Sequence, residues 1–133
     1  MNILSIGSKI TLRKISEEIV DKVESINFLD TTTNNFLNWG LSKTKKINYY
    51  SGDITKIDTL INAGLNDSDI IIVHSENDME SLFIAQKSKI NANSSIFVIL
   101  EDLSLAEIFE SFGFIIFDSH NLKMTRLLNK LGN

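Results

Sequence analysis

Cysteine and proline are absent from this chain of 133 residues, and glycine occurs only six times. Without cysteine there can be no disulfide, no thiolate nucleophile and no cysteine-ligated zinc or iron–sulfur centre. The sequence also lacks low-complexity stretches and internal repeats, so it contains no recognisable linker. Its length suits one ordinary domain with a real core, and we predict a single domain over residues 1–133.

Long apolar runs are missing as well. The longest, such as residues 96–100, fall far short of the roughly 20 residues that a membrane-spanning helix needs. The N-terminus has neither a charged leader nor the long apolar region of a signal peptide. We therefore expect a cytoplasmic protein without direct membrane insertion, which would reach the inner membrane only through a partner.

A strongly basic surface is also lacking, since the net charge is −4 and charges of both signs are interspersed. The short cluster of Lys43, Lys45 and Lys46 is typical of a solvated face. Nucleic-acid binding needs a larger electrostatic footprint, so we expect no nucleic-acid partner. The hydrophobic fraction of 43% and the charged fraction of 23% are those of a soluble globular protein.

Short apolar strands alternate with helical patterns along the chain. The predicted strands are residues 2–6, 26–30, 47–50, 69–74, 96–100 and 114–117. Stretches such as IIIV and IFVIL are wholly apolar, as expected when both faces of a strand are covered. Repeated strand–helix units give parallel sheets with right-handed crossovers. The predicted fold is therefore α/β, a Rossmann-like, doubly wound, parallel six-stranded sheet with helices on both faces.

The helical patterns place apolar residues three and four positions apart. Capping boxes are predicted at Thr55, Ser75 and Ser104, each with an acidic residue three positions later. Gly64 and Gly113 stand where a left-handed C-cap is expected. The predicted core-facing stripes are Leu12, Ile15, Ile19 and Val23; Ile57, Leu60, Ile61 and Leu65; Met79, Leu82, Phe83 and Gln86; Leu105, Ile108, Phe109 and Phe112; and Met124, Leu127, Leu128 and Leu131.

The turn after the first strand begins a partial phosphate-binding motif. A dinucleotide fingerprint G-x-G-x-x-G starting at Gly7 would also need glycine at positions 9 and 12, where this chain has Lys9 and Leu12. Lys9 would bring a flexible cation, and Leu12 would either push the helix away or turn into its core stripe. On spacing alone, the stretch fits an ordinary strand-to-helix turn better than a phosphate cradle.

Polar residues follow the later strands, at the edge where such sheets bind ligands. Asp30 could bind a ribose hydroxyl pair or cap the next helix, and the two interpretations carry equal weight. A histidine satisfied at a strand end is the favoured interpretation of His74, because no second ligand lies near it in sequence. Glu101 and Asp102 are interpreted as solvated or capping carboxylates, and His120 carries no functional signal.

Taken together, these segments resemble the N-terminal domain of the regulator-of-K⁺-conductance family (RCK, also called TrkA-N or KTN), over about residues 2 to 120. The resemblance is most specific in SGDITKIDTLINAGLNDSDIIIVHSENDMESLFIAQKSK and continues in EDLSLAEIFESFGFIIF. The matching positions are Gly52, Asp53, Thr55, Leu60, Ala63, Gly64, Asp69, Asp78 and Ala85, with Ser81 in place of the family's asparagine, and later Asp102, Ala106, Phe109 and Gly113.

The resemblance implies a domain that binds an adenine nucleotide, NAD(H) or ATP/ADP, and associates as a dimer or ring. Such domains gate a membrane K⁺ channel or transporter. Carried over by position, Gly7 and Ser8 would lie by the phosphates and Asp30 at the ribose. Asp53 and Ile54 would flank the adenine, and Ser75 would border the phosphates.

This chain departs from the family pattern at the phosphates. Besides Lys9 and Leu12, it has Ile99 and Leu100 where the family has a basic residue near the end of the fifth strand. Lys9 is itself a candidate phosphate ligand, because a cation near a helix N-terminus adds to the pull of the backbone amides on anions. The family's usual C-terminal regulatory domain is also expected to be absent.

Three functions follow as hypotheses. The leading one is a non-catalytic, nucleotide-binding regulatory domain for ion transport, with Gly7, Ser8, Lys9, Asp30, Asp53, Ile54 and Ser75 at the ligand and a homodimer as the assembly. The second is a dimerisation or interaction module of this family that has lost nucleotide binding. The third is an NAD-dependent oxidoreductase, which is disfavoured because the chain has no room for a substrate domain. No catalytic residues and no metal ligands are predicted.

Overall fold

The computed structural model describes residues 1–41 and 46–132. It contains a parallel sheet of six strands in the order β3-β2-β1-β4-β5-β6. Each predicted strand is present within two residues of its predicted bounds. The strands are β1 (Asn2–Ile6), β2 (Ser25–Asp30), β3 (Ile47–Ser51), β4 (Ile70–Val73), β5 (Ser95–Leu100) and β6 (Ile115–Asp118). Within the basic cluster, Lys43 and Lys45 lie outside the described residues.

Helices cover both faces of the sheet, which confirms the doubly wound fold. Alternate side chains of a strand point to opposite faces, so each wholly apolar strand supplies two cores. One core packs against α1 and α5, and the other packs against α2, α3 and α4. The helices are α1 (Ile10–Ile19), α2 (Ile57–Asn62), α3 (Asp78–Asn91), α4 (Ala106–Ser111) and α5 (Thr125–Lys130).

The N-terminal caps of the helices differ from the prediction, whereas the predicted left-handed C-caps at two helix ends are present. Gly64 and Gly113 have φ of +101° and +90°, as a left-handed cap requires. The predicted capping boxes are wrong. Asn77, not Ser75, caps α3 by accepting a hydrogen bond from the Glu80 amide at 2.8 Å. Helix α2 begins after Lys56 without a side-chain cap, and Asp102 rather than Ser104 accepts the capping bond before α4.

Helix α3 buries a different face from the one its apolar spacing predicts. Met79 is 63% exposed and Phe83 is 47% exposed, while the buried residues are Ser81, Ile84, Ala85 and Ser88. Small side chains allow the helix to lie close to the sheet. The buried Ser88 hydroxyl donates to the Ile84 carbonyl oxygen at 2.9 Å, so its burial leaves no unsatisfied donor. Of the predicted apolar stripe, Met79 and Phe83 therefore face away from the sheet, while Leu82 packs partly against the core.

The predicted stripes of α2 and α4 are buried only in part. In α4 only Phe109 of the predicted stripe is buried, whereas Ile108 is 50% exposed and Phe112 is 41% exposed. In α2, Leu60 is buried and Ile61 is 41% exposed. The stripe of α1 is buried throughout, and that of α5 packs on the core around Leu127. The exposed apolar residues of α2, α3 and α4 thus all belong to the helix layer on one face of the sheet.

Candidate functional site

A groove opens at the carboxyl edge of the sheet, where the order of the strands reverses between β1 and β4. Ligands of doubly wound sheets bind at this position. The groove has a volume of about 160 Å³, below the roughly 300–1,000 Å³ of closed small-molecule pockets, so it is a shallow site. All seven residues that the sequence analysis assigned to a ligand line it: Gly7, Ser8, Lys9, Asp30, Asp53, Ile54 and Ser75.

Gly7 makes the turn from β1 into α1. Its φ is +113°, and its amide donates to the Leu29 carbonyl oxygen at 2.8 Å. A Cβ at this position would overlap the carbonyl oxygen of His74 and lie 2.9 Å from its carbonyl carbon. The close approach of the turn to the end of β4 therefore requires glycine at position 7, whether or not a ligand binds.

Positions 9 and 12 accommodate their larger side chains without distorting the turn. Lys9 precedes α1 in an extended conformation, with φ −69° and ψ 160°. Its ammonium group reaches across the groove and donates to the Glu76 carbonyl oxygen at 3.1 Å. Leu12 is fully buried in the core beneath α1, so it turns into the core stripe and does not push the helix away.

Asp30 at the end of β2 is 9% exposed and accepts hydrogen bonds from three groups. The Thr31 amide donates to Oδ1 at 2.7 Å, whereas the Asn35 side-chain amide, at 3.0 Å, and the Ser8 hydroxyl both donate to Oδ2. Thr32 caps the short 3₁₀ helix that follows, so the capping interpretation of Asp30 is wrong. The Asp30 carboxylate instead ties the end of β2 to the turn after β1.

Asp53 and Ile54 form the rim of the groove beyond β3. The Thr55 amide donates to the Asp53 carboxylate at 3.0 Å, and the Thr55 hydroxyl donates to the same oxygen. These two hydrogen bonds hold the pKa of Asp53 below its usual range. Ile54 is buried, and it adds an apolar side chain to the lining that also holds the carboxylates Asp30 and Asp53.

Ser75 lies just after β4, and both its backbone amide and its hydroxyl are hydrogen-bonded. Its amide donates to the Ser81 hydroxyl at 2.9 Å, and its hydroxyl donates to the Glu80 carboxylate. Glu80 and Glu76 also line the groove, together with Thr31, Thr55 and His74. The sequence analysis did not assign these groove residues, and the proximity of Glu76 and Glu80 to the groove depends on the path of the chain after β4.

His74 has a partner that the sequence analysis missed. Its Nε2 lies 2.8 Å from Oε1 of Glu101, at the end of the neighbouring strand β5. The other Glu101 oxygen accepts from the Ser119 hydroxyl at 2.7 Å and lies 3.4 Å from Nε2 of His120. The interpretation of His74 as a histidine satisfied at a strand end is therefore confirmed at Nε2, and the structure adds that adjacent strands bring both histidines to one carboxylate.

Burial lowers the pKa of His74 and outweighs the opposing effect of Glu101. The neutral ring must donate from Nε2 to the carboxylate, which leaves Nδ1 unprotonated. Nδ1 is buried and has no hydrogen-bond partner within residues 1–41 and 46–132. Hydrogen bonds from Ser119 and His74 lower the pKa of Glu101. This pair consists of a neutral imidazole and a carboxylate near pH 7.

We predict that stability falls as the pH drops from about 6.5 towards 4.5. The unfolded chain binds a proton at an ordinary histidine pKa of about 6.5, while folded His74 resists it, so acid favours unfolding. One such proton gives a slope of at most about 1.4 kcal/mol per pH unit. Carboxylates such as Glu101, whose pKa is lowered in the folded chain, also lose stabilising effect on acidification, but only below their usual pKa near 4.5.

Urea unfolding at several pH values measures this slope. His74→Gln, which can still donate to Glu101, should flatten the profile between pH 6.5 and 4.5. His120→Gln, at a position that is 72% exposed, is the control and should keep the wild-type slope. A wild-type profile that is already flat in this interval would contradict the prediction.

The described part of the chain contains no group of three or more histidine, cysteine, aspartate or glutamate residues that could hold a metal ion. Nor does any helix within residues 1–41 and 46–132 have the length and hydropathy to cross a bilayer.

The fold places the chain in the Rossmann-like class of α/β domains. Residues 10–119 match the family model of the TrkA-N domain. The chain therefore belongs to the TrkA-N family, and the resemblance seen in the sequence is confirmed. No curated protein matches the chain in sequence.

Solved structures with the same fold include domains of membrane proteins. The TrkA-N domain of the inner membrane protein ybaL from Escherichia coli superposes with a TM-score of 0.73 at 10% identity, covering 98% of this chain and 93% of that one. The Kef CTD of Shewanella denitrificans in its AMP-bound form gives 0.68 at 15% identity, covering 100% and 83%. At these identities the likeness concerns the fold.

A third similar structure is the GsuK channel bound to NAD, with a TM-score of 0.71 at 13% identity. The match covers 96% of this chain and only 22% of the channel chain, so this chain corresponds to about a fifth of that protein.

Proposed function

We propose that this chain is a non-catalytic regulatory domain that binds an adenine nucleotide in the groove and acts on a membrane K⁺ channel or transporter. The observation that carries the proposal is the position of Asp30. Its carboxylate lies at the end of β2, hydrogen-bonded to Ser8 in the turn after β1, where a dinucleotide fold holds the ribose. The bound nucleotides of GsuK and Kef, two proteins of the same fold, support the class of ligand.

A ligand could lie across the groove in a single orientation. Asp30 would accept from the ribose hydroxyls, the buried Ile54 would contact the adenine, and Asp53 would stand at the adenine edge. The amides at the start of α1 face the other end of the groove, where a helix N-terminus favours an anion. The groove is shallow, so part of the ligand would remain exposed or be covered by a partner.

Calorimetric titration with adenosine, AMP, ADP, ATP and NAD⁺ tests the nucleotide proposal. Asp30→Asn should weaken the ligands that bind by at least about tenfold, because a hydrogen bond to a charged group contributes about 1.5–3 kcal/mol. Asp21→Asn, at an exposed position outside the groove, is the matched control and should bind normally. Unchanged affinity in Asp30→Asn, with an unchanged melting temperature, would remove Asp30 from the site.

An interaction module that has lost nucleotide binding is the second candidate, and a specific surface supports the dimerisation that both candidates require. The outer face of α3 presents Met79, Phe83 and Ile90, which are 63%, 47% and 83% exposed. These residues recur at spacings of four and seven, so they form one stripe along the helix. We name this stripe the α3 crest. A crest of large apolar residues in the middle of a helix layer is typical of a protein–protein contact.

We propose that a second copy of the chain covers the α3 crest. Helix α3 carries acidic residues in its first turn, with Glu80 among them, and basic residues towards its C-terminus, with Lys87 among them. Two copies related by a two-fold axis, with their α3 helices antiparallel, would place the acidic half of each helix against the basic half of the other. Ile108 and Phe112 of α4 extend the apolar surface beside the crest.

The two candidates differ in what they predict for the groove. A module without a ligand would show no heat with any adenine compound and would still dimerise. Replacing a residue of the turn after β1 by glycine can distinguish the two candidates only when the replaced residue is Lys9, and not when it is Leu12. Leu12 is fully buried, so Leu12→Gly would leave a core cavity and would confuse loss of folding with loss of binding.

A further inference from the structure

Three groove side chains that could donate hydrogen bonds to a phosphate, those of Ser8, Lys9 and Ser75, already donate to groups of the chain itself. The Ser8 hydroxyl donates to the Asp30 carboxylate, and the Ser75 hydroxyl donates to the Glu80 carboxylate. The Lys9 ammonium donates to the Glu76 carbonyl oxygen at 3.1 Å. Each serine hydroxyl has only one O–H, so a phosphate that recruited it would have to replace a carboxylate as its acceptor.

The charge of the groove also opposes phosphate. Of the described residues that line it, Asp30, Asp53, Glu76 and Glu80 carry carboxylates, and Lys9 carries the single ammonium group. His74, the other basic residue in the lining, is neutral near pH 7 because burial lowers its pKa. Each phosphate added to a ligand would therefore bring negative charge into a site whose side chains are predominantly negative.

One anion-binding feature remains. Helix α1 has ten residues, no acidic residue in its first turn and no side-chain cap, so the amides at its start are available beside Lys9. These amides can accommodate one phosphate. Further phosphates would face the carboxylates of Glu76 and Glu80, since Lys9 is the one side chain in the described lining that is positively charged near pH 7.

We infer that the groove selects an adenine nucleoside carrying at most one phosphate, and that Glu76 and Glu80 exclude ligands with a pyrophosphate or triphosphate. This inference rests on the proposed function, because it names the ligand class of the same groove. The carboxylates act as negative selectors, while Asp30 and Ile54 provide the contacts that all adenosine compounds share.

Titration calorimetry in EDTA, which prevents divalent cations from bridging carboxylates and phosphates, compares the five ligands. Adenosine and AMP should each bind at least about threefold more tightly than ADP, ATP and NAD⁺, as expected for unfavourable charge pairs of about 0.2–1 kcal/mol each. Raising the salt concentration should strengthen ADP binding, because salt screens repulsion. If positively charged groups of the protein held the ADP, raising the salt concentration would instead weaken its binding.

The double variant Glu76→Gln, Glu80→Gln isolates the two selectors. The exchange at position 80 keeps a side-chain oxygen that can accept from Ser75, and the exchange at position 76 leaves the backbone carbonyl that accepts from Lys9. ADP should bind this variant at least about threefold more tightly than it binds wild type, with adenosine unchanged. Glu107→Gln, at an exposed position on α4, is the control and should leave every affinity as in wild type.

Each outcome is decisive. Affinity that rises from adenosine to ADP or NAD⁺ in wild type would overturn the inference and leave the nucleotide-binding proposal standing. Binding of ADP that is unchanged in the double variant would also overturn it. No heat with any of the five ligands, in wild type and in the double variant, would overturn both the inference and the nucleotide-binding proposal.

Discussion

Gly7→Ala is expected to destabilise the domain by about 2–5 kcal/mol, the sum of a backbone penalty and a steric one. The left-handed φ of +113° costs a residue with a Cβ about 1–2 kcal/mol. The Cβ would also overlap the His74 backbone carbonyl, and forcing atoms into a packed interior costs a further 1–3 kcal/mol or so. The obstacle is backbone at the end of a buried central strand, which cannot turn aside as a side chain can.

Gly113→Ala is the matched control for this substitution. Its φ of +90° is also left-handed, but its nearest neighbour is the end of the flexible Lys89 side chain, 3.0 Å away. It should show only the backbone penalty of about 1–2 kcal/mol. Urea unfolding followed by the fluorescence of Trp39, the single tryptophan and a buried core residue, measures both variants. Equal destabilisation by the two substitutions would contradict the close approach of the turn to β4.

Phe83→Asp is expected to convert the proposed homodimer to monomers, with the dissociation constant raised at least about a hundredfold. In a two-fold interface each crest residue occurs twice, so one substitution removes two apolar contacts and adds two charges. Central aromatic residues commonly contribute about 2 kcal/mol or more each, and about 2.8 kcal/mol corresponds to a hundredfold change. Phe83 lies at the middle of the crest, with the Lys87 ammonium 4.6 Å from its ring centroid.

Sedimentation velocity over a wide range of protein concentrations measures the change. Because Phe83 is half exposed in the monomer, the variant should remain folded, and urea unfolding verifies this. Leu37→Asp is the control, since Leu37 is 76% exposed but lies outside the α3 crest, after β2. A wild-type chain that sediments as a monomer throughout the range would contradict the dimer, and equal dissociation by both variants would remove the crest from the interface.

The site shows how much the sequence could predict about function. The seven candidate residues each follow a predicted strand, and parallel strands end at one edge of a sheet, so their convergence on a groove could be foreseen. Their hydrogen-bond partners could not. Glu80 lies five residues after Ser75 and reaches its hydroxyl only because Asn77 starts α3 where it does. The conclusion that both serine hydroxyls of the groove already donate to carboxylates therefore required the structure.

The sequence by itself determined the six strands, the left-handed helix ends at Gly64 and Gly113, and the doubly wound architecture. These features depend on local periodicity and on backbone conformations that only a few residue types adopt readily. Both can be recognised from the order of residues along the chain.

The tertiary structure alone decided two other features. It set the partner of His74, because β5 lies beside β4 and brings Glu101 to within 2.8 Å across 27 residues of sequence. It also decided which face of α3 is buried. That helix has one face of large apolar residues and another on which Ile84 stands among the small residues Ser81, Ala85 and Ser88, and the apolar spacing favours the first. Close packing on the sheet selects the small residues, so the large ones remain exposed on the crest.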